Sequence, residues 1–468
     1  MRVQLLQQLH DKLTRALSPP TALDPFTVLP SELAEMVFGY LSFRQKVNCL
    51  RVSKGWRDYL SKLPKLWLHL DLSGARKPVP RAFVNTVFKR SEYRMSRVTV
   101  HRFEHMDVLR NLAVAAKHLT DLELVSLPYK LSLALVEVVG SAQNLKKCII
   151  HPTINFSDVD SILEVRPTLQ HAAFHSVQNS RHTGVWPMAL SNLRSFTMHV
   201  AGMMYEQRFN LVKFFSRTPS LQSLSLSGLT PLPNPLSIWP TDASLLPPLT
   251  NLSLTHVGLQ GIPLLPPTLQ SLEIKIIGRS APPAAAELLQ SHLSDLTHLS
   301  LSGYENVTVD FLHTLLDLSS SNGPNDLGTL VSKPIQQQQQ PTKPLVSLSL
   351  SISVQGAPGL ISVLSCSKRV LTPALQVLDV AGMKCDDDDV DQLVAFKTGL
   401  THINLSRTAI TGAAIVMLAD KVPTLRSIKV HECSGISGRE AIGYAERRGI
   451  SVGYQMSQEK GGRRIRYG

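Results

Sequence analysis

The frame L-x-x-L-x-L, with conservative apolar replacements, recurs along most of this chain at a nearly constant step. It begins weakly as Trp67-Leu70-Leu72 and Met95-Val98-Val100. It then reads Leu119-Leu122-Leu124, Leu145-Cys148-Ile150, Leu169-Ala172-Phe174, Leu193-Phe196-Met198 and Leu221-Leu224-Leu226. It continues as Leu249-Leu252-Leu254, Leu269-Leu272-Ile274, Leu296-Leu299-Leu301 and Leu345-Leu348-Leu350, and closes as Leu375-Leu378-Val380, Leu400-Ile403-Leu405 and Leu425-Ile428-Val430. Successive starts differ by 20 to 30 residues, apart from one step of 49 between Leu296 and Leu345. One such frame arises easily by chance; a long series in near phase does not. Side chains alternate across a strand, so each frame predicts one short strand with its leucines turned inward. No single unit can bury that face alone. Stability must come from neighbours stacking on one another, which gives a curved solenoid with a parallel sheet on its concave side.

The step length and frame resemble leucine-rich repeats. The last unit adds Cys433 and Ile436 after its strand, then SGREAIGYAERRGI, an amphipathic helix expected to start near Ser437. This LxxLxLxxCxxI arrangement resembles the cysteine-containing repeat class common in F-box proteins, with Cys433 as a small buried hydrophobe. The long step holds a low-complexity stretch, about residues 317–344, with SSSNGPND and the tract Gln336–Gln340. It has too little apolar content to fold and is expected to be an inserted loop.

Composition narrows the class. At 468 residues, 43% of them apolar, the chain is neither a single ordinary core nor globally disordered. No apolar run approaches the ~20 residues of a membrane span. Met1 to Leu17 mixes leucines with charged and amide residues, unlike a signal peptide. Cys49, Cys148, Cys366, Cys385 and Cys433 lie far apart, which argues for reduced thiols over a disulfide framework or zinc module. A net charge of +13 suits a nuclear protein or an acidic partner, and equally a merely soluble basic surface.

The pattern changes between Asp24 and about Leu70. Leu29-Pro30 opens a helix, since proline in the first turn loses no needed N–H, and Ser31-Glu32 sit at its positive end. Leu33, Met36, Val37, Tyr40 and Leu41 follow at helical spacing on one face. Val47, Leu50 and Val52 form a second apolar patch, and Trp56 and Tyr59 belong to a third segment. About 45 residues cannot hide all these faces in one small core, so the repeats or a partner must cover part of them.

The text LPxEL…YL…VxxLRVSKxW resembles an F-box, a three-helix module that binds a Skp1-type adaptor and through it a cullin. The resemblance implies a contact face led by Leu29 and Pro30 and extended by Leu33, Leu41, Val47, Leu50 and Val52, with Trp56 locking the third helix. A small helical cap on the first repeat is the plainer reading of the same residues. The chain as a whole is then expected to be α/β: an F-box at 24–70 after an N-terminal helix and linker at 1–23, a repeat solenoid over 71–452, and a basic tail at 453–468. The resemblance implies a substrate receptor of an SCF-type ubiquitin ligase, and not an enzyme itself. A narrower likeness, carried by LPxLWLHLDLSGARKPVPRAFV and GGRRIRYG, is to fungal F-box proteins linked to replication-fork maintenance. Those carry a tetratricopeptide region ahead of the F-box. The stripe Leu6, Leu9, Leu13, Ala16, Leu17 reads as the tail of such a region, in a truncated or a divergent member.

No catalytic motif stands in credible context, and no cofactor or metal ligand set is expected. The run Asp386–Asp389 reads as the acidic start of a helix. Residues between the inward leucines face out from the concave side. Through the middle repeats they are small and polar. Toward the end they become Asp379, His402, Asn404, Lys429 and His431, the expected substrate contacts. Arg76-Lys77-Pro78-Val79-Pro80-Arg81 and Arg463-Arg464-Ile465-Arg466 are the densest basic segments, read as solvated patches or an import signal, with chromatin contact as the alternative.

Overall fold

Where the frames put apolar residues at alternate positions, the chain forms short parallel strands, and between them it returns through helices or loops. The computed structural model describes residues 7, 30–101, 107–126, 132–178, 189–201, 211–228, 239–240, 242–256, 264–280, 293, 295–316, 343–356, 358–365 and 367–455. They belong to two compact units, Met1–Leu145 and Lys146–Gly468. The expected inserted loop and basic tail fall almost wholly outside the described residues, as does Cys366.

The first unit opens with helices α1 (Ser31–Gly39), α2 (Phe43–Cys49) and α3 (Lys54–Ser61). It continues through β1 (His69–Asp71), α4 (Arg81–Arg90), β2 (Arg97–His101), α5 (Asp107–Ala115), β3 (Asp121–Ser126) and α6 (Ser132–Ser141). β1 pairs with β2 and β2 with β3, all parallel, with Leu70 beside Val98 and Val98 beside Leu122. The two weakest frames are therefore true repeats: Trp67, Leu70, Met95 and Val98 are buried. The helices pack on this first repeat. Phe43 of α2 meets Trp67 and Phe83 edge-on, each ring centre 6.2 Å away. The Trp67 indole donates to the Leu60 carbonyl at 2.8 Å.

The second unit begins with β4 (Lys147–Ile150), β5 (Ile154–Asn155), α7 (Phe156–Val165), β6 (His171–Gln178), β7 (Ser195–Val200) and α8 (Leu211–Arg217). Its middle holds β8 (Ser223–Ser227), β9 (Asn251–Thr255), β10 (Ser271–Ser280), β11 (His298–Tyr304) and α9 (Val309–Leu316). It ends with β12 (Ser347–Ser351), α10 (Leu360–Leu364), β13 (Val377–Asp379), α11 (Asp387–Ala395), β14 (His402–Asn404), α12 (Gly412–Lys421), β15 (Ser427–Lys429), α13 (Glu440–Arg447) and β16 (Ser451–Gly453). Strands β4 and β6 to β16 pair in chain order, while the short β5 pairs with β6 off this path. The leucines stack rung on rung, as Leu224 beside Leu252, Leu252 beside Leu272 and Leu272 beside Leu299. Each such burial stabilises by roughly 1.5–3 kcal/mol. Threonines after the first leucine tie the rungs further. Thr250, Thr297 and Thr401 donate their hydroxyls to Gln222, Gln270 and Gln376, the residues at the same place one repeat earlier.

Two features differ from what the pattern suggests. The last helix starts at Glu440 rather than near Ser437, because Gly438 is a poor helix residue. Beyond it β16 adds a strand that no full frame announces, burying Ile450 and pairing with β15. The 49-residue step is bridged by the β11–β12 pairing, by an ion pair between Lys343 and Asp295 at 3.0 Å, and by Arg369. The buried Arg369 guanidinium donates to Leu293, Leu296 and Leu316 before the gap and to Lys343 after it, at 2.6–3.1 Å.

Candidate functional site

Helix α1 has two apolar sides. Ala34 and Phe38 turn inward, where Phe38 is 4% exposed and meets Trp56 of α3 edge-on at 5.4 Å. Trp56 thus locks the third helix, and Ser53 caps that helix through the Trp56 N–H. The remaining apolar residues of α1 point out: Leu33, Met36, Val37 and Tyr40 are all exposed, Met36 by 56% and Tyr40 by 88%. The single apolar face expected from spacing is therefore an outward one, and the inward side is supplied by Ala34 and Phe38. Phe38 lies on neither list of expected contacts because its spacing from Leu33 falls off the stripe.

Pro30 is exposed at the head of α1, and Leu29 lies outside the described residues. Leu41 and Val47 are half-buried, while Val52 is 62% exposed. Leu50 departs from the expected face. At 8% exposure it packs inside the trio, since α2 turns its end toward the core. Its carbonyl accepts from Arg57 Nε of α3, which fixes the α2–α3 angle. Ser42 and Gln45 form a reciprocal capping box at the start of α2. Beside α1, Met36, Gly39, Tyr40 and Leu66 line an open groove of about 580 Å³ with Glu32, Glu35 and Lys65 at its rim. Lys65 pairs with Glu35 at 3.4 Å, an exposed contact of little energetic weight. This helix therefore presents an exposed apolar row with charged residues beside it.

The five expected substrate contacts stand at the end of the second unit. Asp379, Asn404 and Lys429 occupy one rung line across β13, β14 and β15. Asn404 Nδ2 donates to Asp379 at 2.9 Å, and the side-chain Oδ1 of Asn404 accepts from the Ser406 N–H and hydroxyl. These two residues thus brace the strand exits, whereas His402 and Lys429 remain exposed. His431 lies past the end of β15, half-buried, with Nδ1 enclosed and unpartnered.

One further grouping went unnoticed in the sequence. His151, just past β4, lies beside His175 of β6, which in turn neighbours His199 of β7. The first pair stacks at 4.2 Å, and the second meets edge-on at 5.0 Å. Burial and the neighbouring imidazoles hold His175 down at about 4. Their spacing of 24 residues matches the local repeat step and would have revealed them. The run Asp386–Asp389 is a helix start, as expected. Asp386 caps α11 in a reciprocal box with Asp389, and Asp387 accepts from the Thr411 N–H at 2.8 Å. Burial pushes the thiols of Cys148 and Cys385 up to about 12, with nearby aspartates adding to the second, so both stay protonated. The buried Cys433 thiol donates to the Leu405 carbonyl at 3.1 Å.

Residues 26–73 match the F-box-like family. A 69-residue stretch is 36% identical to the F-box/TPR repeat protein pof3 of Schizosaccharomyces pombe, covering 15% of this chain and 11% of that protein. The chain thus spans only a small part of that relative's length. Among solved structures, yeast Rad7 in complex with Elc1 aligns over 97% of both chains at 13% identity and a TM-score of 0.47. A leucine-rich-repeat protein of Leptospira interrogans aligns over 75% of this chain and 88% of its own at 16% identity and a TM-score of 0.39. The protein carries an F-box-like domain ahead of leucine-rich repeats.

Proposed function

We propose that the chain is a substrate receptor of an SCF-type ubiquitin ligase: α1 docks a Skp1-type adaptor, and through it a cullin, while the repeats hold a protein for ubiquitination. The observation that carries this reading is the outward row Leu33, Met36, Val37 and Tyr40 within the stretch that matches the F-box-like family. Helices that pack inward on a repeat through Phe43 and still expose such a row have a second surface to cover. In such an assembly the receptor needs no reactive group. It raises the effective concentration of a substrate lysine beside the thioester of a conjugating enzyme. We place this activity in the nucleus, on the support of the +13 charge, and connect it to genome maintenance through the likeness to the fungal F-box proteins.

The test is capture of purified Skp1-type adaptor by the full chain and by Leu33→Asp with Val37→Asp. Wild-type capture lost in the double variant supports the docking face. Equal capture by both rejects it, and capture without substrate turnover in cells would mark a scaffold instead.

A further inference from the structure

A cavity of about 980 Å³ opens at the C-terminal ends of β11 to β15 and not on the concave strands. Its volume sits at the upper end of the ~300–1,000 Å³ typical of ligand pockets. Ile352 and Met383 give it an apolar floor with Val354 and Pro358 beside them. Tyr304, fully buried, lines it too, and its hydroxyl has no hydrogen-bond partner.

The charged lining is ordered along the rungs. Glu305 follows β11, Lys384 follows β13, Arg407 follows β14 and Glu432 follows β15. Cations therefore occupy the middle and carboxylates the two ends. Arg407 and Glu432 also hold left-handed backbone, with φ of 60° and 57°. One repeat earlier the same place is taken by Gly382 at φ 79°. Glycine adopts that conformation freely, whereas other residues bear a strain on the order of 1 kcal/mol. Two long charged side chains are thus kept at the cavity mouth where a glycine would fit better.

We propose that this rim cavity binds a short extended segment of a protein partner, one acidic side chain of which meets Lys384 and Arg407. The apolar floor takes the residues beside it. The flanking Glu305 and Glu432 disfavour a longer acidic run, so a single carboxylate is selected. The role assigned to this segment, a recognition element of the substrate, rests on the receptor reading above.

The experiment uses the full chain bound to its adaptor and a positional-scanning library of fluorescent nonapeptides. One position should prefer Asp or Glu over Asn or Gln by about tenfold, the value of a charge-assisted contact. Lys384→Glu with Arg407→Glu should reverse that preference to Lys or Arg. Arg407→Gly, which suits the backbone, should keep or raise Tm while weakening acidic peptides severalfold. Absence of any acidic preference, or the same selected peptides with the charge-reversed variant, overturns the proposal. Adaptor capture by the same preparations reports the docking face separately, so the two readings fail independently.

Discussion

Arg369 donates from Nη1 to the main-chain carbonyl of Leu316 at 3.1 Å, a contact between residues 53 apart in sequence. With its bonds to Leu293, Leu296 and Lys343, the guanidinium closes the interruption of the repeat series from within. Replacing it by methionine removes the donors and leaves buried carbonyls unmatched. Arg369→Met should lower unfolding stability by roughly 3 kcal/mol, read from the urea midpoint, and should loosen the β11–β12 junction in hydrogen exchange. An unchanged midpoint would mean that packing alone spans the gap.

The two sides of α1 should respond oppositely. Leu33→Asp and Val37→Asp change exposed positions, so Tm should shift by the equivalent of less than about 0.5 kcal/mol while adaptor binding is lost. Phe38→Ala removes a buried ring against Trp56 and should cost about 3 kcal/mol or more. Leu50→Asp should fail to fold for the same reason. Adaptor titration with parallel thermal melts separates these outcomes.

Stability should fall with acid through the histidine row. His175 is held at about 4 in the folded protein, against an ordinary value of 6.5, by burial first and then by His151 and His199. The unfolded chain therefore binds a proton that the folded chain refuses. Its contribution is complete above the ordinary value and is lost as pH falls from there toward about 4. His175→Gln should reduce the difference between denaturation midpoints measured near pH 7.5 and about pH 4.5. An equal difference in the variant would remove His175 from that acid response.

The acidic run after β13 should behave as a cap. Asp386→Ala should destabilise by about 1 kcal/mol through loss of the bond to the Asp389 N–H. Added calcium should leave the melting temperature of the wild type unchanged within a degree, as the carboxylates of Asp386, Asp387 and Asp389 are engaged by main-chain N–H groups. A clear calcium-dependent rise would contradict this assignment.

The frames from Leu119 to Val430 were legible in sequence because burial in a strand imposes a period of two, and stacking imposes a constant step. The apolar row on α1 was equally legible, since Leu33, Met36, Val37 and Tyr40 obey helical spacing. Its direction was not. Spacing shows that residues share a side and leaves open whether Phe38 or Tyr40 points to the core. Leu50, expected on the outward face, is buried for that reason, and β16 was missed because Ile450 and Val452 make only a fragment of a frame.

The amino-acid sequence by itself determined the repeat, its strands and the F-box-like module, for these follow from local periodicity and nearest-neighbour packing. Tertiary structure decided what lies far apart in sequence and meets in space: the Arg369 bridge, the row of three histidines and the charged rim from Glu305 to Glu432. Those depend on which rung adjoins which and on where each strand ends. A one-dimensional pattern carries the period of such contacts but not their chemistry.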